Sequence, residues 1–169
     1  GVEVLQGYAK LIDPWTVEIS LNEGGTQRLT TRAIIIATGA QAFVPPIPGL
    51  AEIDYLTSDT MWERLRDRPS VPQRLVVLGG GPIGCELAQS FARLGSEVTQ
   101  IQMAPRLMMR EDDDAARVVE ASMKADGVNV LTSHKAVACG SNAGEKWIEV
   151  EKDGAKFRIG FDEIIVAVG

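Results

Sequence analysis

The 169-residue sequence predicts an α/β fold: a parallel sheet with helices and a β-meander, preceded by a β-rich segment. Three observations support this prediction. A short apolar strand runs directly into a glycine-rich turn and an amphipathic helix, and a second strand follows that helix. Segments with the alternating pattern of strands also occur twice along the chain, at similar places in a repeated unit.

The glycine-rich turn follows Leu75–Leu78, an unbroken apolar run that is typical of a buried parallel strand. Gly79, Gly81 and Gly84 then occur at the spacing G-x-G-x-x-G. In this pattern the first glycine permits the tight turn, the second lets a pyrophosphate approach the backbone, and the third lets the helix pack closely. Because the turn opens a helix, whose N-terminus favours phosphate, it predicts a Rossmann-like dinucleotide site.

The elements after the turn extend the same pattern. The first helix is predicted to bury the face that carries Ile83, Leu87, Phe91 and Leu94. A second strand is expected from Ser96 to Gln102. A further helix is expected from about Asp113 to Asp126, with Gly127 ending it.

An internal repeat indicates two related units. Gly1–Leu5 resembles Gly127–Leu131, and both are followed by alternating strand patterns. Each copy is predicted to end in an apolar strand, Ala33–Gly39 in the first and Ile164–Gly169 in the second. Only the second copy is preceded by the glycine-rich turn. We therefore expect the tail of one dinucleotide-binding domain followed by nearly all of another, with an upstream fingerprint cut away.

The predicted boundaries follow from this repeat. Residues 1–40 are expected to be the C-terminal part of the first domain, and residues 50–169 the second domain. Residues 41–49 contain Pro45, Pro46 and Pro48, which predicts an extended, stiff linker. A short helix is expected next, with Ser58 as its N-cap and Met61, Trp62 and Leu65 on its apolar face.

Composition excludes several functions. The net charge of −6, without a basic patch, argues against a nucleic-acid or anionic-membrane partner. No apolar run approaches the roughly 18 residues that span a bilayer, and no signal peptide is visible, so a cytoplasmic protein is expected. Cys85, Cys139 and His134 have no metal-ligand spacing, and Glu111–Asp114 is interpreted as a solvated helix cap, so no metal site is predicted.

In their order, the motifs resemble the FAD-dependent pyridine nucleotide-disulfide oxidoreductases, closest to the mercuric reductase and dihydrolipoamide dehydrogenase branch. The segments that carry the resemblance cover essentially the whole chain: Ile34–Gly39, Val44–Gly49, Thr57–Asp59, Val77–Phe91, Arg106 with Arg110–Asp112, and Ile165–Gly169.

This resemblance implies a set of nucleotide-binding residues. The NAD(P) pyrophosphate would be held by Gly79, Gly80, Gly81, Pro82, Ile83 and Gly84. Glu86 matches an acidic residue that the family places near the nicotinamide, although an ordinary first-turn glutamate is an equal alternative. Gly169 matches a glycine that approaches the nicotinamide nucleotide. Ala9, Thr38 and Gly39 match positions that contact FAD.

Cofactor choice depends on the residue that ends the second strand, where an acid binds the ribose of NAD and arginines bind the 2′-phosphate of NADP. That residue is Gln102, which does not repel a phosphate. Because no basic residue precedes Arg106 in the following loop, NAD is expected over NADP.

The resemblance also implies an activity: electrons pass between NAD(P)H, FAD and a redox cysteine pair, with dihydrolipoamide, another disulfide or mercuric ion as substrate. The FAD fingerprint, the C-x-x-x-x-C pair and the dimer domain are absent from these residues, so we expect a homodimeric parent enzyme whose fragment has no catalytic residues. Two alternatives stay open. One is a flavoprotein without the disulfide, such as an NADH oxidase or ferredoxin reductase; the other is a non-enzymatic dinucleotide-binding module.

Overall fold

The computed structural model describes residues 1–169, which divide into two compact units, Gly1–Ala40 and Gln41–Gly169. The first unit is an antiparallel meander of β1 (Gly7–Asp13), β2 (Thr16–Leu21) and β3 (Thr26–Thr30), in that order. Alternating residues form these strands because one face collects apolar side chains, and Ile19 of β2 is buried.

The strand predicted for Ala33–Gly39 is wrong, because this segment has no regular secondary structure. Ile35 is 91% exposed, and no strand pairs with the segment. The apolar run has the composition of a buried parallel strand. Such a strand forms only when a neighbouring backbone completes its hydrogen-bond ladder, and this chain supplies none for residues 33–39.

The second unit is built on a five-stranded parallel sheet. Its strands are β4 (Leu56–Thr57), β5 (Arg74–Leu78), β6 (Glu97–Gln102), β7 (Asn129–Thr132) and β11 (Glu163–Val166). Their order in the sheet is β4-β11-β5-β6-β7, so β5 lies at the centre. This confirms the α/β fold class and the strand that leads into the glycine-rich turn.

Helices cover one face of this sheet and a second meander covers the other. The helices are α1 (Met61–Arg66), α2 (Pro82–Arg93) and α3 (Asp113–Ala125), and the meander strands are β8 (Lys135–Asn142), β9 (Glu145–Lys152) and β10 (Ala155–Phe161). Leu75 and Val77 of β5 pack toward the helices, whereas Val76 and Leu78 pack toward the meander. The near-continuous apolar run of β5 follows from this burial on both faces.

The predicted repeat appears as two antiparallel three-stranded meanders, one in each unit. The prediction for α3 is confirmed within one residue, and Gly127 ends it with a φ of 91°.

Three details of the other helices were predicted wrongly. Ile83 and Leu94 are 52% and 66% exposed, because the buried face of α2 is centred instead on Gly84, Cys85, Ala88 and Phe91. Three of these four residues, Gly84, Cys85 and Ala88, are small because α2 lies close to the sheet. The N-cap of α1 is Thr60 rather than Ser58, and the Thr60 hydroxyl accepts the N–H of Thr57 at 3.0 Å. Trp62 is exposed.

The proline-rich segment 41–49, predicted as a linker between the two domains, packs within the second unit, Gln41–Gly169. Val44 and Ile47 contact the core between the sheet and the meander, where Leu50 is fully buried. The Pro48 carbonyl accepts the N–H of Cys139 at 2.7 Å. These apolar residues, which flank the prolines, bury part of the segment against the meander.

Candidate nucleotide-binding site

The candidate site begins at the carboxyl end of β5, where Gly79 turns the chain toward α2. Gly79 has a φ of 117°, a left-handed conformation that favours glycine, and its N–H donates to Ile101 O at 2.8 Å. A Cβ on Gly79 would lie 2.2 Å from the carbonyl oxygen of Ala167, in the segment that follows the neighbouring strand. The turn therefore requires glycine for both its conformation and its space.

Gly84 is required for close packing. A Cβ at this position would lie 2.4 Å from the carbonyl oxygen of Gly79 and 3.3 Å from Nε2 of Gln100. The first turn of α2 therefore lies directly against the loop. This is the role that the G-x-G-x-x-G spacing predicts for its third glycine.

Gly81 differs from both, since nothing in the chain requires a glycine there. Its φ of −78° and ψ of 178° suit any residue, and a Cβ at this position would have no heavy atom within 4 Å. Gly81 is the N-cap of α2, and no side chain caps the helix. The open space at Gly81 thus adjoins a helix N-terminus whose first N–H groups have no intrahelical acceptor, which is a fit for a phosphate.

Pro82 is the first residue of α2, where its missing N–H costs no hydrogen bond. Ile83 follows it with its side chain in solvent. Glu86 is exposed on the next turn and forms no ion pair. All three therefore lie on the solvent side of α2, close to the glycine-rich loop.

The structure brings Gln102 next to this loop. Gln102 ends β6, and its side chain lies against Gly80, where a Cβ would meet it at 2.9 Å. Its Nε2 donates to Arg106 O at 3.4 Å. The residue at the predicted ribose position therefore contacts the predicted pyrophosphate loop.

Gly169 lies at the same edge of the sheet as the loop. It comes three residues after β11, which pairs with β5, and Ala167 N–H donates to Leu78 O at 2.7 Å. The carbonyl of Gly169 accepts the N–H of Phe43 at 2.6 Å. Gly79 and Gly169 thus follow neighbouring parallel strands, where open α/β sheets bind their ligands.

The three residues predicted to contact FAD are dispersed in the first unit. Ala9 lies in β1 opposite Ile19, whereas Thr38 and Gly39 lie in the segment without regular structure. All three are exposed, and no hydrogen bond joins Ala9 to Thr38 or Gly39.

Sequence reasoning missed Gln100, a fully buried amide in the middle of β6. Its Nε2 donates to Gly79 O at 2.9 Å and to Cys85 Sγ at 3.6 Å. The Cys85 thiol in turn donates to Gly80 O at 3.6 Å, and burial raises its pKa. The signal that could have revealed Gln100 is a glutamine at a helix-facing position of an otherwise buried strand.

The single histidine of the chain, His134, contacts residues of two strands, β7 and β10. His134 is buried, with Nδ1 2.8 Å from Thr132 O and its ring edge-on to Phe157. No group of three or more His, Cys, Asp and Glu residues is arranged to hold a metal ion. None of the three helices combines the length and apolar composition that crossing a bilayer requires.

A cavity of about 320 Å³ lies away from the glycine-rich loop. It is formed between α1 and α2, with Met61, Trp62 and Phe91 among its lining residues.

Comparison with family models matches residues 1–169 to the pyridine nucleotide-disulphide oxidoreductases. The chain belongs to this family. Two relatives share 36% identity with the whole of the chain. Mercuric reductase of Bacillus cereus matches over 169 residues, and dihydrolipoamide dehydrogenase of Chaetomium thermophilum over 173.

A solved member of the fold supports the assignment. The HOCl-induced flavoprotein disulfide reductase RclA of Escherichia coli aligns with 99% of the chain at 28% identity and a TM-score of 0.72. The chain spans 25% of the mercuric reductase, 33% of the dihydrolipoamide dehydrogenase and 36% of RclA. The family resemblance expected from the motifs is thereby confirmed.

Proposed function

We propose that residues 50–169 are the nicotinamide-dinucleotide-binding domain of a flavoprotein oxidoreductase, and that residues 1–40 belong to its FAD-binding domain. The observation that carries the first assignment is Gly81. Any residue can adopt its backbone conformation, so the fold does not require glycine there. The space that a side chain would fill is empty and adjoins an uncapped helix N-terminus. A ligand that needs this space and these N–H groups explains the glycine, and a pyrophosphate has the required charge.

The proposed binding residues follow from this placement. The pyrophosphate is held at Gly79–Gly84, where Gly81 leaves room for it and the N-terminus of α2 stabilises its charge. Gln102 faces the adenosine ribose, and Gly169 lies on the side of the nicotinamide. Bound nicotinamide nucleotide supplies a hydride to the flavin of the whole protein. Glu86 is proposed to lie near the nicotinamide end, on the exposed face of α2.

Arg106 supports NAD as the preferred nucleotide. It is the first basic residue after β6, and its guanidinium is committed to the loop that it belongs to. Nε contacts Asp113 at 3.0 Å, and the two Nη atoms donate to four backbone carbonyls, those of Leu107, Met108, Met109 and Glu111. Arg106 therefore has no free donor for a 2′-phosphate, and Gln102 brings no positive charge to replace it.

The activity of the whole protein is a further part of the proposal. We propose a cytoplasmic homodimer that passes electrons between NAD(P)H, FAD and a redox disulfide. Mercuric ion or a lipoamide-type disulfide is its substrate class, by analogy with the two relatives named above. A full-length protein that oxidises NADH with dioxygen alone, and exposes no new thiols on reduction, would instead be a flavoprotein without the disulfide.

Calorimetry on the purified 169-residue chain tests the nucleotide-binding proposal. Titration with NADH should give one saturable binding event, while riboflavin, which lacks phosphate, should give none. Circular dichroism establishes that the titrated chain is folded. A folded chain that releases no saturable heat with NADH up to millimolar concentration would contradict the proposal.

A further inference from the structure

Gln100 lies in surroundings that do not explain a polar side chain. It is 0% exposed at the centre of β6, on the face that α2 covers, and its strand partners are Val77 and Val130. The hydrophobic cluster on this face, which includes Val77, Cys85 and Val98, consists of aliphatic, aromatic and sulfur-containing side chains. A buried amide costs stability unless its polar atoms are paired.

Only half of this amide is paired. Nε2 donates to Gly79 O and Cys85 Sγ, whereas Oε1 is buried without any hydrogen-bond partner. An apolar side chain of similar volume would fill the same space and leave no orphaned Oε1. Packing therefore does not explain the glutamine, whereas the hydrogen bond from its Nε2 to the Gly79 carbonyl does.

The bond from Gln100 fixes the first peptide unit of the glycine-rich loop. The peptide between Gly79 and Gly80 is trans, so its N–H points opposite to its C=O. Because the Gly79 carbonyl is held toward the core, the N–H of Gly80 is directed away from it. That N–H donates to no atom of the chain, although Gly80 is buried, and it lies one residue before the open space at Gly81.

We propose that Gln100 is a positioning residue for the bound nucleotide, which holds the Gly79–Gly80 peptide so that the Gly80 N–H is presented to a phosphate oxygen. The identity of the ligand rests on the proposed function, but the orientation of this peptide does not. The positioning acts from the core side of the loop, without contact between Gln100 and the ligand.

Gln100→Met tests the proposal, because methionine has nearly the same shape and lacks the amide donor. In the ligand-free chain, the amide NMR signal of Gly80 should shift and broaden as its peptide gains freedom, while those of the remote Gly95 and Gly127 stay in place. The Kd for NADH should rise about tenfold, with Tm unchanged or higher. Met123→Leu, a volume-conserving change in the same core, is the control and should alter neither the Gly80 signal nor the Kd.

An unchanged Gly80 signal in folded Gln100→Met would overturn the inference, whether or not the chain binds nucleotide. The inference would also be overturned if the wild-type chain binds NADH and Gln100→Met binds it with the same Kd. A wild-type chain that binds no NADH contradicts the proposed function, and the Gly80 signal then still decides whether Gln100 sets this peptide. If Gln100→Met does not fold, Gln100→Val, which repeats the side chain of its strand partners, is measured in the same way.

Discussion

At the residue scale, the glycines of the loop differ in what a methyl group would meet. At Gly79 and Gly84 the added carbon would overlap backbone atoms of the chain, at 2.2 Å and 2.4 Å. At Gly81 it would meet nothing within 4 Å. The same sequence pattern therefore contains two glycines that the fold requires and one, Gly81, that the fold does not require.

Substituting alanine at Gly81 and at Gly84 should separate these two roles. Gly81→Ala should keep its Tm within a few degrees and weaken NADH binding at least tenfold, because the methyl group occupies phosphate space. Gly84→Ala should lower the free energy of unfolding by about 1–3 kcal/mol, the usual cost of overpacking, because its clash is with backbone. Thermal melts and calorimetry on the same preparations measure both effects.

Gly81→Ala and Gly84→Ala are controls for each other, since each variant adds one methyl group to the same loop. Gly81→Ala that melts early but binds normally when folded would show that Gly81 serves the fold. Equal affinity of a fully folded Gly81→Ala and wild type would remove the main support for the phosphate site.

Gln102 is the second residue whose role can be measured. Gln102→Glu should favour NADH over NADPH, because a carboxylate accepts hydrogen bonds from ribose hydroxyls and repels a 2′-phosphate. The expected change in relative binding free energy is about 1–3 kcal/mol, the range of a charge-assisted hydrogen bond. The ratio of the two Kd values, measured by calorimetry, gives this difference directly.

Glu97→Gln at the opposite end of β6 is the matched control, and it should leave that ratio unchanged. If Gln102→Glu also leaves the ratio unchanged, Gln102 does not face the ribose.

At the element scale, ion pairs join segments that are distant in sequence. Arg74, which begins β5, binds Asp162 just before β11 through its backbone N–H and its guanidinium, at 2.8 Å each. Arg93 and Gln89 of α2 bind Asp126 at the end of α3, at 2.8 and 2.7 Å. Hydrogen bonds from Arg74 hold the pKa of Asp162 below its ordinary value of 3.8, and those from Gln89 and Arg93 lower the pKa of Asp126.

These lowered pKa values predict a pH dependence of stability. A carboxyl whose pKa is lower in the folded state stabilises the fold above its unfolded pKa, and this contribution is lost as pH falls through the folded pKa. Asp162→Asn should cost about 1 kcal/mol at pH 7, because the pair is partly screened by solvent. The difference from wild type should shrink below pH 3.8. Urea unfolding across this range measures it.

Glu52→Gln is the control for this series, because Glu52 is exposed and has no ion-pair partner. Its unfolding curve should follow wild type at every pH. A constant gap between Asp162→Asn and wild type down to acid pH would contradict the assigned ionisation.

At the scale of the whole molecule, the two units differ in the motifs and sheets that they contain. The second unit contains the glycine-rich loop and a five-stranded parallel sheet, whereas residues 1–40 contain one meander and no G-x-G-x-x-G. The purified 169-residue chain should therefore be colourless and bind NADH without retaining FAD. Absorption spectra recorded before and after incubation with FAD and gel filtration test this, and a stoichiometric yellow chromophore would contradict it.

The sequence by itself determined the elements whose signals are local. The strand, turn and helix around Gly79–Gly84, the position of α3 and the repeated meander follow from residue periodicity and from glycine and proline placement, which act within a few residues. The apolar run of Ala33–Gly39 has the same local strand pattern, but the strand that it predicted does not form. Its strand depends on a neighbouring backbone that no local pattern specifies.

Only the tertiary structure decided which residues meet. The contact of Gln100 with Gly79 joins a mid-strand position to a loop 21 residues away, and the contact of Gln102 with Gly80 joins the end of that strand to the same loop. The saturation of Arg106 by backbone carbonyls and the open space at Gly81 are likewise products of the folded backbone. Periodicity identifies a buried face, but the partners across it are set by how strands and helices pack, and that arrangement forms this site.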